Sequence, residues 1–123
     1  MQRDAMAGLY VVTNLDRGLT VADRIAVAGT SAVRRQGLRG VDHLAQGSGL
    51  WLAPCEAVHT FGMKMPIDVI FLDRELRVKK VVPNLAPRRV AVAVTAYSAL
   101  EVEPGSILRT NTRIGDLLKF DPV

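Results

Sequence analysis

The chain has 123 residues, 49% hydrophobic and 23% charged, with a net charge of +4. That is ordinary globular usage and enough chain to bury roughly two-thirds of its unfolded surface as one domain, which excludes wholesale disorder and any need for a metal or disulfide staple. A single cysteine allows no internal disulfide, the apolar runs VIFL and VAVAV are far short of a membrane span, and MQRDAMAG at the N-terminus has no signal-like apolar stretch. The expectation is a cytoplasmic protein with no membrane partner, a single domain over 1–123 with a flexible tail at 1–7.

The elements read as follows. GLYVVTNL (8–15) is β-branched and apolar enough for a first strand, and Asp16-Arg17-Gly18 turns it. LTVADRIAVAG is a second strand ending at Gly29. Thr30 and Ser31 are N-cap candidates for a short helix over AVRRQ, with Gly37 placed to end it in a left-handed conformation. GSGLWLAP (47–54) is a short strand released by Pro54. PIDVIFL (66–72) is apolar at both parities, as a strand covered on both faces must be. Asp73-Arg74-Glu75 then turns the chain into LRVKKVV, a hairpin partner that exposes Arg77 and Lys79. VAVAV (90–94) and YSALEVE (97–103) are expected to pair with each other. ILRT forms a helical turn after Pro104-Gly105-Ser106, and LLKF is the last strand.

About seven or eight short strands and one or two short helices, with turn signals every ten residues or so, predict a mainly β fold. The architecture is an antiparallel β-sandwich or a partly open barrel.

The basic residues are scattered. Arg34, Arg35 and Arg39, then Lys79 and Lys80, then Arg88 and Arg89, lie in separate segments with acids between them and no aromatic platform, so nucleic acid is not the expected partner.

Chemistry concentrates in APCEAVHTFGMKMPID (53–68). Cys55 and His59 are four apart, so in a helical turn or tight loop the imidazole would face the thiol and lower its pKa, the arrangement of a nucleophile and base. The plainer reading is a small buried hydrophobe beside a histidine bonded to backbone. The soft ligands are exhausted by Cys55, His43 and His59 without a recognised spacing, so no metal or cofactor is expected. Met63 and Met65 read as core fillers. Asp68 lies inside an apolar strand, where an unpaired carboxylate would cost several kcal/mol. It therefore needs backbone N–H donors or a cation, or else it anchors a pocket. Glu101, between Leu100 and Val102, poses the same question, and the two carboxylates with Arg34 would form a polar cluster if they shared a cavity.

Taken together, R-x-x-G-L (Arg34, Gly37, Leu38), G-L-W-L, H-T-F-G-M-K-M-P-I-D-V-I-F-L-D (His59 to Asp73), L-E-V-E-P-G (Leu100 to Gly105) and I-G-D-L-L-K-F (Ile114 to Phe120) resemble the domain-of-unknown-function family 192 (DUF192), over about residues 20 to 121. The resemblance implies a small, mostly antiparallel β-sandwich of bacteria and archaea, with no activity attached to the family name. By the motif match Arg34, Met63, Lys64, Pro66, Asp68 and Glu101 occupy its signature positions. Many members carry a longer loop with a tryptophan before the methionine, where this chain has Gly62.

The function expected from these residues is a binding module that holds a small polar ligand or peptide in a cleft near the 55–68 loop, through Arg34, His59, Lys64, Asp68 and Glu101. Two alternatives stand beside it: a thiol enzyme using Cys55 and His59, and an assembly protein that pairs the VAVAV edge with a partner strand.

Overall fold

The computed structural model describes residues 9–30 and 37–123. Among these residues nine strands are formed: β1 (Leu9–Asn14), β2 (Leu19–Ala28), β3 (Ser48–Leu52), β4 (Ala57–His59), β5 (Ile67–Leu72), β6 (Val78–Leu85), β7 (Val90–Val92), β8 (Ser98–Val102) and β9 (Leu118–Pro122). The one helix among the described residues, α1 (Ser106–Thr110), lies between β8 and β9. The helix expected over AVRRQ falls outside the described residues.

Seven strands form one sheet in the order β6-β5-β8-β3-β2-β1-β9, curled into a half-barrel, and β4 with β7 forms a second, small sheet. The pairs are antiparallel except β2 with β3, which runs parallel. The curl brings the two edges together at one end, where Arg77 bridges Leu117 and Leu118 N–H donates to Leu76 O at 3.0 Å. This is the partly open barrel expected from the strand pattern.

Side chains alternate across each strand, so the sheet divides its apolar residues into two cores. Val12, Val21, Ile25, Ile70, Leu72, Val78, Leu100, Val102 and Leu118 fill the concave side, and Ile107 of α1 closes it. Leu50, Leu52, Ile67, Val69, Phe71 and Ala99 face the convex side. There they are covered by Val58 and Ala91 of the small sheet and by Leu38, Met63 and Met65. Both parities of β5 are buried, as its double apolar pattern requires.

Two expectations change. Val90–Val92 pairs with Ala57–His59 and not with the 97–103 segment. The latter, as β8, is already flanked on both sides by β3 and β5, so it has no edge to offer β7. The small sheet takes β4 from within the 53–68 stretch, which reads as a loop because a strand of three residues shows no useful alternation.

Candidate functional site

The 53–68 stretch is disassembled by β4. Cys55 precedes the strand, its N–H donating to Tyr97 O at 2.8 Å and its Sγ to Ala57 O at 3.1 Å. His59 ends the strand on the solvent side, with Nδ1 accepting the Phe61 N–H at 3.2 Å and its ring 5.8 Å from the Phe61 ring. An extended segment advances about 3.3 Å per residue, so it carries Cys55 and His59 apart and the helical turn that a thiol–imidazole pair needs is not formed. Between them and Lys64, Thr60 is fully buried, accepts the Arg89 N–H at 2.8 Å and donates to Ala86 O at 2.6 Å, pinning the 86–89 turn beneath β4. Lys64 points outward and pairs with Asp42 at 3.0 Å, while Met63 and Met65 on either side of it are buried in the convex core.

Asp68 is fully buried, and its carboxylate is satisfied by backbone alone. Oδ1 accepts the Asn84 N–H and Oδ2 the Ile107 N–H, each at 2.8 Å. Both donors lack a regular partner. Ile67 pairs with Leu85 and Val69 with Val82, so β6 carries one residue more than β5 there, a bulge that includes Pro83 and the left-handed Asn84 (φ 52°). At α1, the N-cap position is Gly105, which has no side chain to satisfy the first-turn N–H groups. Asp68 thus ties the β6 bulge and the start of α1 to β5. Among the described residues it has no ion-pair partner.

Glu101 is the opposite case. It lies in a cross-strand row of Ala26, Leu50, Glu101, Val69 and Val82, in which every other member is aliphatic. It is 3% exposed, no hydrogen-bond donor among the described residues reaches Oε1, and burial pushes its carboxyl up from 4.5 to about 7. Paired residues of an antiparallel ladder share a face. Glu101 pairs with Val69 and faces the convex core, whereas Asp68 pairs with Val102 and faces the concave one. The expected cluster of Asp68, Glu101 and His59 is therefore not brought together. Arg34 lies outside the described residues.

A cleft of about 340 Å³ opens elsewhere, along Thr20–Asp23, Gly47, Glu103 and Arg109. It exists because β3 begins opposite Arg24 and leaves the first half of β2 without that neighbour. Its polar groups are largely spoken for: Arg109 donates to Thr20 O at 3.0 Å and Val21 O at 2.8 Å, and Glu103 Oε1 accepts the Gly47 N–H at 3.2 Å.

A further buried polar group joins β1 to the stretch before β9, where the residue order of Ile114-Gly115-Asp116 shows only the approach to the last strand. Asn14 Nδ2 donates to Asp116 Oδ2 at 3.0 Å and to Thr112 Oγ1 at 3.1 Å, and Arg17 grips both Asp116 oxygens at 3.0 and 3.1 Å. Burial works to raise the Asp116 carboxyl, but the Arg17 guanidinium, the Asn14 amide and the Arg113 N–H outweigh it and hold it below 3.8. This knot fastens the end of β1 to the turn before β9. Among the described residues no three His, Cys, Asp or Glu side chains are placed to hold a metal ion, and no helix is long and apolar enough to cross a membrane.

The sequence profile of DUF192, described as "Uncharacterized ACR, COG1430", matches residues 12–120. Two solved structures share the fold. A protein of unknown function from Novosphingobium aromaticivorans is similar with a TM-score of 0.78 and 24% identity, over 90% of this chain and 83% of that one. A candidate transcription regulator from Sinorhizobium meliloti is similar with a TM-score of 0.82 and 20% identity, over 94% and 95% of the two chains. No curated protein matches the sequence.

Proposed function

The chain belongs to the DUF192 family, and we propose that it is a binding module that receives a small ligand at Glu101, on the convex face of the seven-stranded sheet. The observation that supports this reading is a carboxyl oxygen, Glu101 Oε1, buried without a donor among the described residues in an otherwise aliphatic row. Leaving such a group unpartnered costs about 1–3 kcal/mol. A ligand N–H or O–H group at that oxygen would remove the cost.

The surroundings favour an amphiphilic ligand with one polar head and a hydrocarbon body. Leu50 and Val69 flank the carboxyl, and Leu38, Met63 and Met65 belong to the same core. Methionine side chains adapt to irregular shapes, which suits a wall that must close around a guest. Met63 and Met65 also keep the proposed site next to the 55–68 loop. The family motif adds Arg34 as a proposed ligand residue, whereas Lys64, exposed and paired with Asp42, contributes no donor to this buried site. His59, exposed on the outer side of β4, and Asp68, already saturated by two N–H groups, contribute no donor or acceptor to this site. A cytoplasmic location and a single domain belong to the same proposal, supported by the composition and the single cysteine.

A thermal-shift screen of the full chain against small amines, amides and hydroxylated compounds tests the reading, with Glu101→Leu as the counterpart. Compounds that stabilise the native chain and leave Glu101→Leu unaffected are expected. A library that stabilises neither, or both equally, overturns the reading.

A further inference from the structure

We propose that the outer edge of β7 docks an extended acidic segment of another protein, which adds a third strand to the small sheet. Thr60 N–H donates to Arg89 O and Ala93 N–H to Glu56 O, both at the ends of the β4–β7 ladder. By the alternation of an antiparallel pair, Arg89, Ala91 and Ala93 therefore bond towards β4, and the N–H and C=O groups of Val90 and Val92 turn to the other edge. Among the described residues no strand pairs there.

The side chains agree. Val90 and Val92 are 59% and 43% exposed on the solvent face of the small sheet, next to Phe61 at 50% and Val94 at 73%. Lys80, Arg88 and Arg89 surround them, all exposed and none in an ion pair among the described residues. An apolar centre with an unneutralised basic rim matches a strand whose side chains alternate between apolar and acidic. It does not match a second copy of this chain, because pairing β7 with itself would bring the same cations together. A lipid surface would use the valines and the cations but not the peptide groups of the edge.

Lys80 gives the edge a guard. Its ammonium donates to Val92 O at 2.8 Å, occupying the acceptor that an incoming strand must use. Edge lysines discourage indiscriminate pairing. An acidic side chain on the incoming strand offers that ammonium an ion pair and frees the carbonyl, so the guard opens preferentially to segments of the right charge.

The test uses the full chain and a short acetylated peptide alternating glutamate and valine, with a lysine–valine peptide as control. Hydrogen exchange at the Val90 and Val92 amides is expected to slow by about tenfold or more with the acidic peptide only. Arg88→Glu with Arg89→Glu should weaken binding by about tenfold. Val92→Pro removes an N–H that β4 does not use, so it should abolish binding while leaving the denaturation midpoint of the chain nearly unchanged. The proposal is overturned by unprotected Val90 and Val92 amides, by equal binding of the basic peptide, by self-association that protects the same amides without peptide, or by protection that appears only with phosphatidylglycerol vesicles.

Discussion

Asp68 and Glu101 sit one register step apart on neighbouring strands, yet their carboxyl groups lie on opposite sides of the sheet. The two buried acids of the central strands consequently have unrelated fates. Asp68 is saturated by two backbone donors from a bulge and a helix start. Glu101 has an oxygen that nothing in the described chain satisfies.

The Glu101 carboxyl makes stability depend on pH. Its native value is raised from 4.5 to about 7, so between those limits the unfolded chain sheds a proton that the folded chain retains. The contribution of this carboxyl is therefore full below about pH 4.5, falls as pH rises towards 7 and then levels, a change on the order of 3 kcal/mol in all. Glu101→Gln should match the native chain at pH 4.5 and exceed it at pH 8 in urea midpoint. Parallel pH profiles for the two proteins would contradict the burial of a titrating group here.

Asp68→Asn should destabilise the fold by about 1.5–3 kcal/mol, because an amide can accept from one of the two N–H groups but turns its own donor towards the other. The check is a lower urea midpoint at unchanged slope. Slow amide exchange at Asn84 and Ile107, present in the native chain, should be lost together in the variant.

For Asp116 the sign is reversed. A carboxyl held below 3.8 contributes stability above that pH and loses it as pH falls through the depressed native value. Asp116→Asn should lower the midpoint at pH 7 and flatten the stability profile between pH 5 and 2, read by denaturant titrations at each pH.

Gly49 has ordinary backbone angles, so its requirement is one of space. A Cβ there would collide with Glu101 O and come within 2.9 Å of Ile25 Cδ1 and 3.0 Å of Val102 Cγ1. Gly49→Ala is expected to cost about 1–3 kcal/mol. A midpoint within error of the native chain would show that β3 and β8 can part at no cost.

The strand pattern was legible wherever a segment was long enough to alternate. PIDVIFL announced a doubly buried strand, and Gly37 indeed adopts the left-handed conformation (φ 52°) expected of it. β4 escaped because three residues carry no period, and its pairing with β7 because the partner is about thirty residues on and nothing local encodes it. The need for a partner at Asp68 could be read from its apolar neighbours, and the partners proved to be backbone N–H groups. Which face each acid takes depends on the register of β5 against β8, a long-range quantity that residue order does not display. The Asn14–Asp116 knot was invisible for the same reason: its halves stand 102 positions apart.

That separation bears on synthesis. β1 and β2 are neighbours in the chain and can pair as soon as both are made, but the other flank of β1 waits for β9, the furthest along of the described strands. Until then a growing chain carries a bare strand margin and an uncapped Asn14, the moment at which a neighbouring nascent chain could intrude. Completion of the sheet is thus bound to the arrival of residues 112–122, and truncation before them would leave β1 with an adhesive rim.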